Sequence, residues 1–314
     1  MEFAHIPVML TEAVDALRIR QDGAYLDGTL GGAGHSTEIA KRLGQDGRLY
    51  GFDLDTDALA EAKKRLSPYE NRVTLFHDNF KHAVERLTAE GVKGLDGILL
   101  DLGVSGFQID NAARGFSYMQ DAPLDMRMNR EQALTAREIV NTHSAEELTQ
   151  IFSEYGEERF AKRIAERIVK ERETGEIATT AALNDIIYAA VPKEMRTKHS
   201  HPSKRVFQAL RIACNGELTG LAESLDGMID FLKPGGRICV ITFHSLEDRI
   251  VKTRFKNAEH PCICPPQFPV CTCGKVPKGR VITRKALSPG AEEIRENARA
   301  KSAKLRVFER QGRN

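Results

Sequence analysis

Short apolar runs alternate with amphipathic stretches along the first hundred residues, and most of the runs end on a polar side chain. Ala24–Leu26 has strand character and ends at Asp27. Arg48–Phe52 ends at Asp53. Val73–Phe76 leads into His77-Asp78-Asn79-Phe80, and Gly97–Leu100 ends at Asp101. Between these runs, apolar positions recur at helical spacing in Thr11–Leu17, in the TEIAKRL run after Ser36, in Ala58–Leu66 and in Ala83–Leu87. Strands alternating with helices predict an α/β fold with a mainly parallel sheet and ligands at the carboxyl edge of its strands.

The pattern changes after Asp101. A polar stretch carries Arg114-Gly-Phe-Ser-Tyr118 and Pro123-Leu-Asp-Met-Arg127, and from Ala136 to about Ala190 the periodicity is helical. Ser144-Ala-Glu-Glu147 has the form of a capping box. Phe160, Ile164 and Ile168 form one apolar stripe among charged neighbours. These features predict a helical domain, 111–206, inserted into a discontinuous α/β domain made of 1–110 and 207–314. The α/β pattern resumes with a helix over Glu217–Phe231, a turn at Lys233-Pro-Gly-Gly236 and a strand over Arg237–Thr242. That strand runs into Phe243-His-Ser-Leu-Glu-Asp-Arg249. A helix over Leu246–Phe255 and a last strand over Lys304–Phe308 complete the prediction.

Composition narrows the class. The chain has 314 residues, enough for a sizeable core in one large or two ordinary domains, and a formal net charge of +2. Nucleic-acid binding must therefore come from local patches. One basic run closes the helical insertion: Lys193, Arg196, Lys198, His199, His201, Lys204, Arg205 and Arg211. It reads either as a solvated face or as a phosphate-facing patch. No apolar run approaches the ~20 residues of a membrane span, and the first ten residues lack the basic start and apolar core of a signal peptide. A cytoplasmic protein without disulfides is expected. Of six cysteines, Cys262, Cys264, Cys271 and Cys273 form two C-x-C pairs around a proline-rich loop. Four thiolates suit a structural zinc ion, and small buried cysteines are the alternative.

Candidate chemistry centres on Ala24–Ser36. Glycines at 28, 31, 32 and 34 separate a strand from a helix N-terminus. The spacing is not that of a dinucleotide fingerprint, because Thr37 stands where its third glycine would be. An acidic strand end before G-G-x-G points instead to an adenosyl ligand without a pyrophosphate. Asp53 sits where such folds hold ribose hydroxyls, while Asp55 suits the cap of the following helix. Phe80 is either a core anchor or a stacking surface for adenine.

Ten runs together resemble the RsmH (MraW) family, ribosomal RNA small subunit methyltransferase H. They are HIPVML, LDGTLGGAGHS, GFDLDTDAL, HDNF, DLGVSGFQID, RGFSY, PLDMRM, YGEER, FQALRI and ITFHSLEDR, in order over nearly the whole chain. The resemblance implies a Rossmann-like class I fold, S-adenosylmethionine (SAM) as methyl donor, and methylation of N4 of a cytidine in the decoding centre of 16S rRNA. It implies this RNA as partner, and whether the RNA is met free or within the small ribosomal subunit stays open. Carried over by motif, the cofactor contacts fall on Ala33, Gly34, His35, Asp53, Phe80, Asp101 and Gln108. Gly106 departs from the expected second serine after Ser105. The oligomeric state stays open.

N4 of cytosine is a poor nucleophile until hydrogen-bond acceptors draw on its protons, so the enzyme must align amine, methyl and sulfur and accept a proton. Asp101 and the carbonyls of the Asp101–Ser105 turn are candidate acceptors, and Asp101 could instead orient the methionine end of SAM. His244 and Ser245 are further candidates for gripping the base, or else cap a helix with Asp248. Two other classes stay open: a SAM-dependent N-methyltransferase acting on DNA or a small amine, and a non-enzymatic nucleotide-binding module.

Overall fold

A computed structural model describes residues 7–196, 201–265, 267–268 and 270–312. Two compact units emerge, one made of Met1–Gly103 with Leu218–Asn314, the other of Val104–Glu217.

The first unit opens with α1 (Leu10–Ala16), β1 (Ala24–Asp27), α2 (Gly34–Arg42), β2 (Arg48–Asp53), α3 (Thr56–Leu66), β3 (Val73–His77), α4 (Ala83–Ala89) and β4 (Leu95–Asp101). Helix starts follow local chemistry. Asp55 accepts the Asp57 N–H at 3.0 Å as cap of α3, and Lys63, Lys64 and Arg65 close that helix against its negative dipole end. The second unit holds α5 (Gly106–Asp110), α6 (Ala136–Thr142), α7 (Ala145–Glu154), α8 (Ala161–Arg172), α9 (Thr180–Ala190) and α10 (Ser203–Asn215). The first unit then resumes with α11 (Leu221–Phe231), β5 (Leu232–Thr242), α12 (Ser245–Glu259), β6 (Gly279–Val281), α13 (Ala291–Glu296) and β7 (Lys304–Arg310).

Seven strands form one sheet in the order β3-β2-β1-β4-β5-β7-β6. The first five are parallel, and β7 and β6 join antiparallel. Side-chain alternation divides the central strands between two cores. Leu99, Cys239 and Ile241 face one, with Val14, Ile39 and Leu305. Ile98, Leu100, Ile238 and Val240 face the other, with Leu87, Met228 and Phe255. Burial on both faces is what makes these strands read as continuous apolar runs. From β1 the chain builds β2 and β3 on one side, then crosses back to place β4 on the other. The carboxyl end of β1 is therefore the switch point where such sheets open a crevice.

Three expectations need correction. Lys233–Gly236 is a bulge inside β5 rather than a turn before it. Leu95 pairs with Leu232 but Gly97 pairs with Arg237, so the four residues loop out, with Gly235 at φ 81°. The segment 207–217 belongs with the helices, because Phe207, Leu210 and Cys214 of α10 lie in the core of the second unit with Phe152, Ile164 and Leu183. Likewise 104–110 falls in that unit, with α5. β6 went unpredicted. It is three residues long and, among the described residues, pairs only with β7.

Inside the second unit, the capping box forms as written. Ser144 Oγ accepts the Glu147 N–H, and the Ser144 N–H donates to Glu147 Oε2 at 2.7 Å. Motifs in this unit fasten its backbone. The buried Arg114 guanidinium donates to the Arg127 and Met128 carbonyls. Gly115, at φ 71°, leaves no room for a Cβ, which would stand 2.2 Å from the Pro123 oxygen. Gln208 donates to the Tyr155 carbonyl, and Arg205 to that of Glu157, which ties the FQALRI helix to the YGEER turn.

Candidate active site

The turn after β1 is fixed by one buried carboxylate. Asp27 accepts the Thr29 N–H at 3.1 Å on Oδ1 and the Ser36 hydroxyl at 2.6 Å on Oδ2, which ties the strand end to the first turn of α2. Burial pushes its carboxyl above the ordinary range, against the pull of these two donors. The Gly28 N–H donates to the Leu99 carbonyl and the Leu30 N–H to that of Phe52, so the turn is pinned to both neighbouring strands. Ala33 caps α2 in the left-handed region at φ 57°, which a non-glycine residue adopts at a cost of about 1 kcal/mol.

Gly34 is needed here for a reason the sequence does not display. A Cβ on it would stand 2.1 Å from Pro7 Cγ, so the glycine lets the N-terminal segment cross the start of α2. His35 is held by the same segment: its Nε2–H donates to the Val8 carbonyl at 3.1 Å. Its Nδ1 lies 3.9 Å from Asp101 Oδ2.

Asp53 ends β2 beside the turn. Its Oδ2 accepts the Gly31 N–H at 2.8 Å and its Oδ1 the Asp55 N–H at 2.9 Å. Withdrawal from water nevertheless pushes the carboxyl up to about 6, with Asp55 and Asp27 adding to the rise. Phe80 leaves the end of β3 and covers the turn: a Cβ on Gly28 would stand 2.9 Å from Phe80 Cβ. The backbone of HDNF is tied to the same edge, where the Asp78 N–H donates to the Asp53 carbonyl at 3.2 Å.

Asp101 ends β4. Its N–H donates to Thr29 Oγ1 at 2.6 Å, which registers the strand end on the turn. Its Oδ1 is buried and has no hydrogen-bond partner among the described residues. Burial, then Asp27, then Glu247 push this carboxyl well above its ordinary value. A buried carboxylate oxygen left unsatisfied is expensive unless a donor or cation arrives to meet it.

Around β5, Glu247 Oε2 accepts the Phe243 N–H at 2.9 Å. Glu247 Oε1 also lies 3.1 Å from His244 Nε2, out of line for a hydrogen bond. The helix cap is therefore His244 with Glu247, one residue earlier than the Ser245–Asp248 pairing expected. Asp248 instead binds Arg306 at 2.6 Å and Lys304 at 3.2 Å.

In the first unit the fold thus gathers Ala33, Gly34, His35, Asp53, Phe80 and Asp101 on the turn after β1 and the ends of the adjacent strands. Gln108 lies in the second unit. Its Oε1 accepts the Ser105 N–H at 3.0 Å and its N–H donates to Ser105 Oγ at 3.2 Å, a capping box for α5. The Ser-x-x-Gln spacing carried that signal and was missed. With Ser105 supplying the cap, Gly106 needs no hydroxyl. Thr29, which orients Asp101, was missed as well.

Of the basic run, Lys193, Lys204 and Arg205 are exposed, while Arg211 is engaged by Glu217 at 2.8 Å and Arg196 lies over the Tyr188 ring. Lys198 and His199 lie outside the described residues. The four clustered cysteines are exposed or half-exposed, so the buried-thiol alternative does not hold for them. Among the described residues, no helix is long and apolar enough to cross a membrane.

The pattern of the MraW methylase family matches residues 2–311. The chain belongs to that family. It is 57% identical over 311 residues to ribosomal RNA small subunit methyltransferase H 2 of Agathobacter rectalis, covering 99% of both chains. Ribosomal RNA small subunit methyltransferase H of Lachnospira eligens is 56% identical, over 99% of this chain and 98% of its own. The protein of that name from Clostridioides difficile is 51% identical, over 99% and 100%. The first unit is an α/β fold built on the mainly parallel sheet described above, and SAM is the cofactor of this family.

The residues present fit that cofactor. Asp53 offers a carboxylate at the strand end where ribose hydroxyls are held. Phe80 offers a half-exposed ring, and the unsatisfied oxygen of Asp101 calls for a donor such as an ammonium group or an amine.

Proposed function

We propose that this protein methylates small-subunit ribosomal RNA on N4 of a cytidine in the decoding centre, acting on the RNA within the small ribosomal subunit in the cytoplasm. The observation that carries the reading is the orphaned, buried Oδ1 of Asp101 at the end of β4, beside the glycine-rich turn. The names borne by the relatives support the choice of RNA.

When bound, SAM supplies an activated methyl group on a sulfonium centre. The protein's own task is to hold donor and acceptor in line and to manage one proton. Asp53 takes the ribose hydroxyls, and Phe80 stacks on the adenine. Ala33, Gly34 and His35 shape the turn around the methionine end. Asp101 accepts a hydrogen bond from the exocyclic N4–H, which frees lone-pair density for attack and gives the proton a place to go as the bond to carbon forms. An exposed carboxylate of ordinary pKa is only a weak base for this step. A buried one with a raised pKa is a stronger base once ionised. The exposed Lys204 and Arg205 at the start of α10 contact phosphates.

Incubation with labelled SAM and small subunits from cells lacking this activity, followed by nucleoside analysis, tests the reading. N4-methylcytidine at one position in the small-subunit RNA is the expected product. Label on DNA or on small amines, with none in the RNA, would overturn it.

A further inference from the structure

We propose that Cys262, Cys264, Cys271 and Cys273 bind one zinc ion that serves as the structural core of the connection between α12 and β6. This inference is independent of the catalytic reading.

The sulfur geometry is the first argument. Cys271 Sγ lies 3.5 Å from Cys262, 3.9 Å from Cys264 and 3.4 Å from Cys273, and Cys273 lies 3.9 Å from Cys262. All four sulfurs fall within 4.8 Å of one another. Four thiolates at ~2.3 Å from a tetrahedral zinc are separated by ~3.8 Å along each edge of the tetrahedron. The spacings therefore bracket the value a metal would impose. They are too long for disulfides, whose sulfurs stand ~2.0 Å apart. Two C-x-C pairs that converge from opposite ends of a loop place two sulfurs on each side of one centre.

The second argument is the backbone around the sulfurs. The Thr272 N–H donates to Cys264 Sγ at 3.3 Å, and Thr272 Oγ1 lies 3.6 Å from the same sulfur. Such donors stabilise a thiolate and orient it as a ligand. A neutral thiol is a weak acceptor and would gain little from them.

The third argument is what else could order this segment. The loop is clamped at its base, where the Lys278 N–H donates to the Ala258 carbonyl at 2.8 Å and the Val281 N–H to Glu259 Oε1 at 2.9 Å. Beyond the clamp, none of the described residues in 261–278 is buried. Ile263, Phe268, Val270 and Val276 are all more than half exposed, so the described residues form no apolar core inside the loop. A segment without a core needs a staple, and four convergent thiols supply one. Exposed free cysteines without a metal would instead be open to oxidation. The tetrahedral all-sulfur set also suits iron, so the metal must be identified directly.

Elemental analysis of the full-length protein, purified without chelator, should find about one zinc per chain. After zinc removal, titration with Co²⁺ should give the thiolate charge-transfer and visible d–d bands of a tetrahedral all-sulfur site at one equivalent. Chelation should speed tryptic cleavage after Lys275 and Lys278 by tenfold or more, and zinc should reverse this. Cys264→Ser combined with Cys271→Ser should abolish the zinc. Should that variant fail to fold, the cobalt titration and the proteolysis of the wild-type chain carry the test. Metal-free wild-type protein that shows no thiolate bands with cobalt would overturn the proposal. So would stoichiometric iron, or a double variant that keeps its zinc.

Discussion

Lowering the pH should single out Asp53. Its carboxyl stands at about 6, raised chiefly by withdrawal from water. Ribose hydroxyls that donate to it bind the ionised form, so SAM must pull the pKa back toward the ordinary value near ~4. At pH 5 about ten of every eleven free molecules would carry the proton, and at pH 7.5 almost none would. Linkage then gives an affinity for SAM about tenfold weaker at pH 5 than at pH 7.5, or about 1.4 kcal/mol. Isothermal titration calorimetry in two buffers of different ionisation enthalpy reads this directly: close to one proton should be released per SAM bound at pH 5. Asp27 and Asp101 also have raised pKa values, and Asp53→Asn isolates the Asp53 share by removing the tenfold slope. The cofactor-free protein carries the opposite sign. Between about 4 and about 6 its folded state binds more protons than the unfolded chain, so this contribution to stability is present at low pH and lost as pH rises through about 6. Proton uptake on binding, a flat affinity profile, or an unchanged slope in Asp53→Asn would refute the assignment of Asp53 to the ribose.

Asp101→Asn should lower the single-turnover rate of methyl transfer by roughly a hundredfold or more while changing SAM affinity little; a large loss of affinity with the rate restored at saturating SAM would assign it to the methionine amino group instead. Lys204→Glu with Arg205→Glu should weaken RNA binding and reduce the slope of log affinity against log salt by about 1.5, with SAM affinity intact; filter binding across a salt series checks this. Gly34→Val should destabilise the fold by about 1–3 kcal/mol through its clash with Pro7. Pro7→Gly should recover much of that loss in a double-mutant cycle followed by urea unfolding.

The parallel sheet was legible because each central strand is buried on both faces and ends in a polar residue at a chain reversal. Asp27, Asp53 and Asp101 mark those ends without any alignment. What escaped the sequence depends on contacts between distant residues. Gly34 faces Pro7 across 27 positions, and Thr29 receives the Asp101 N–H across 72. Neither pairing leaves a local pattern. The domain boundary slipped at 207–217 because α10 is amphipathic and would suit either core; only its packing with Phe152 and Leu183 decides. The cap of α12 moved by one residue because Glu247 reaches back to the Phe243 N–H, a choice that Ser245 and Asp248 obscure. The box at Ser105–Gln108 was visible and overlooked. Its glycine at 106 made the stretch read as loop.

The three strand-end carboxylates differ in how far the protein itself satisfies them, and this difference orders their roles. Asp27 accepts a donor on each oxygen and is buried, so it has little left to offer a ligand and acts as a clip for the turn. Asp53 also accepts one backbone N–H on each oxygen, but it is partly exposed, and each carboxylate oxygen has room for a second donor. It can hold hydroxyls while its geometry stays fixed by the backbone. Asp101 Oδ1 accepts nothing from the described residues. An oxygen in that state gains most from a new donor, and its affinity for a proton is highest when no donor is present. A group meant to bind tightly and stay charged should resemble Asp53. A group meant to exchange a proton during a reaction should resemble Asp101, whose protonation the fold leaves to its ligand.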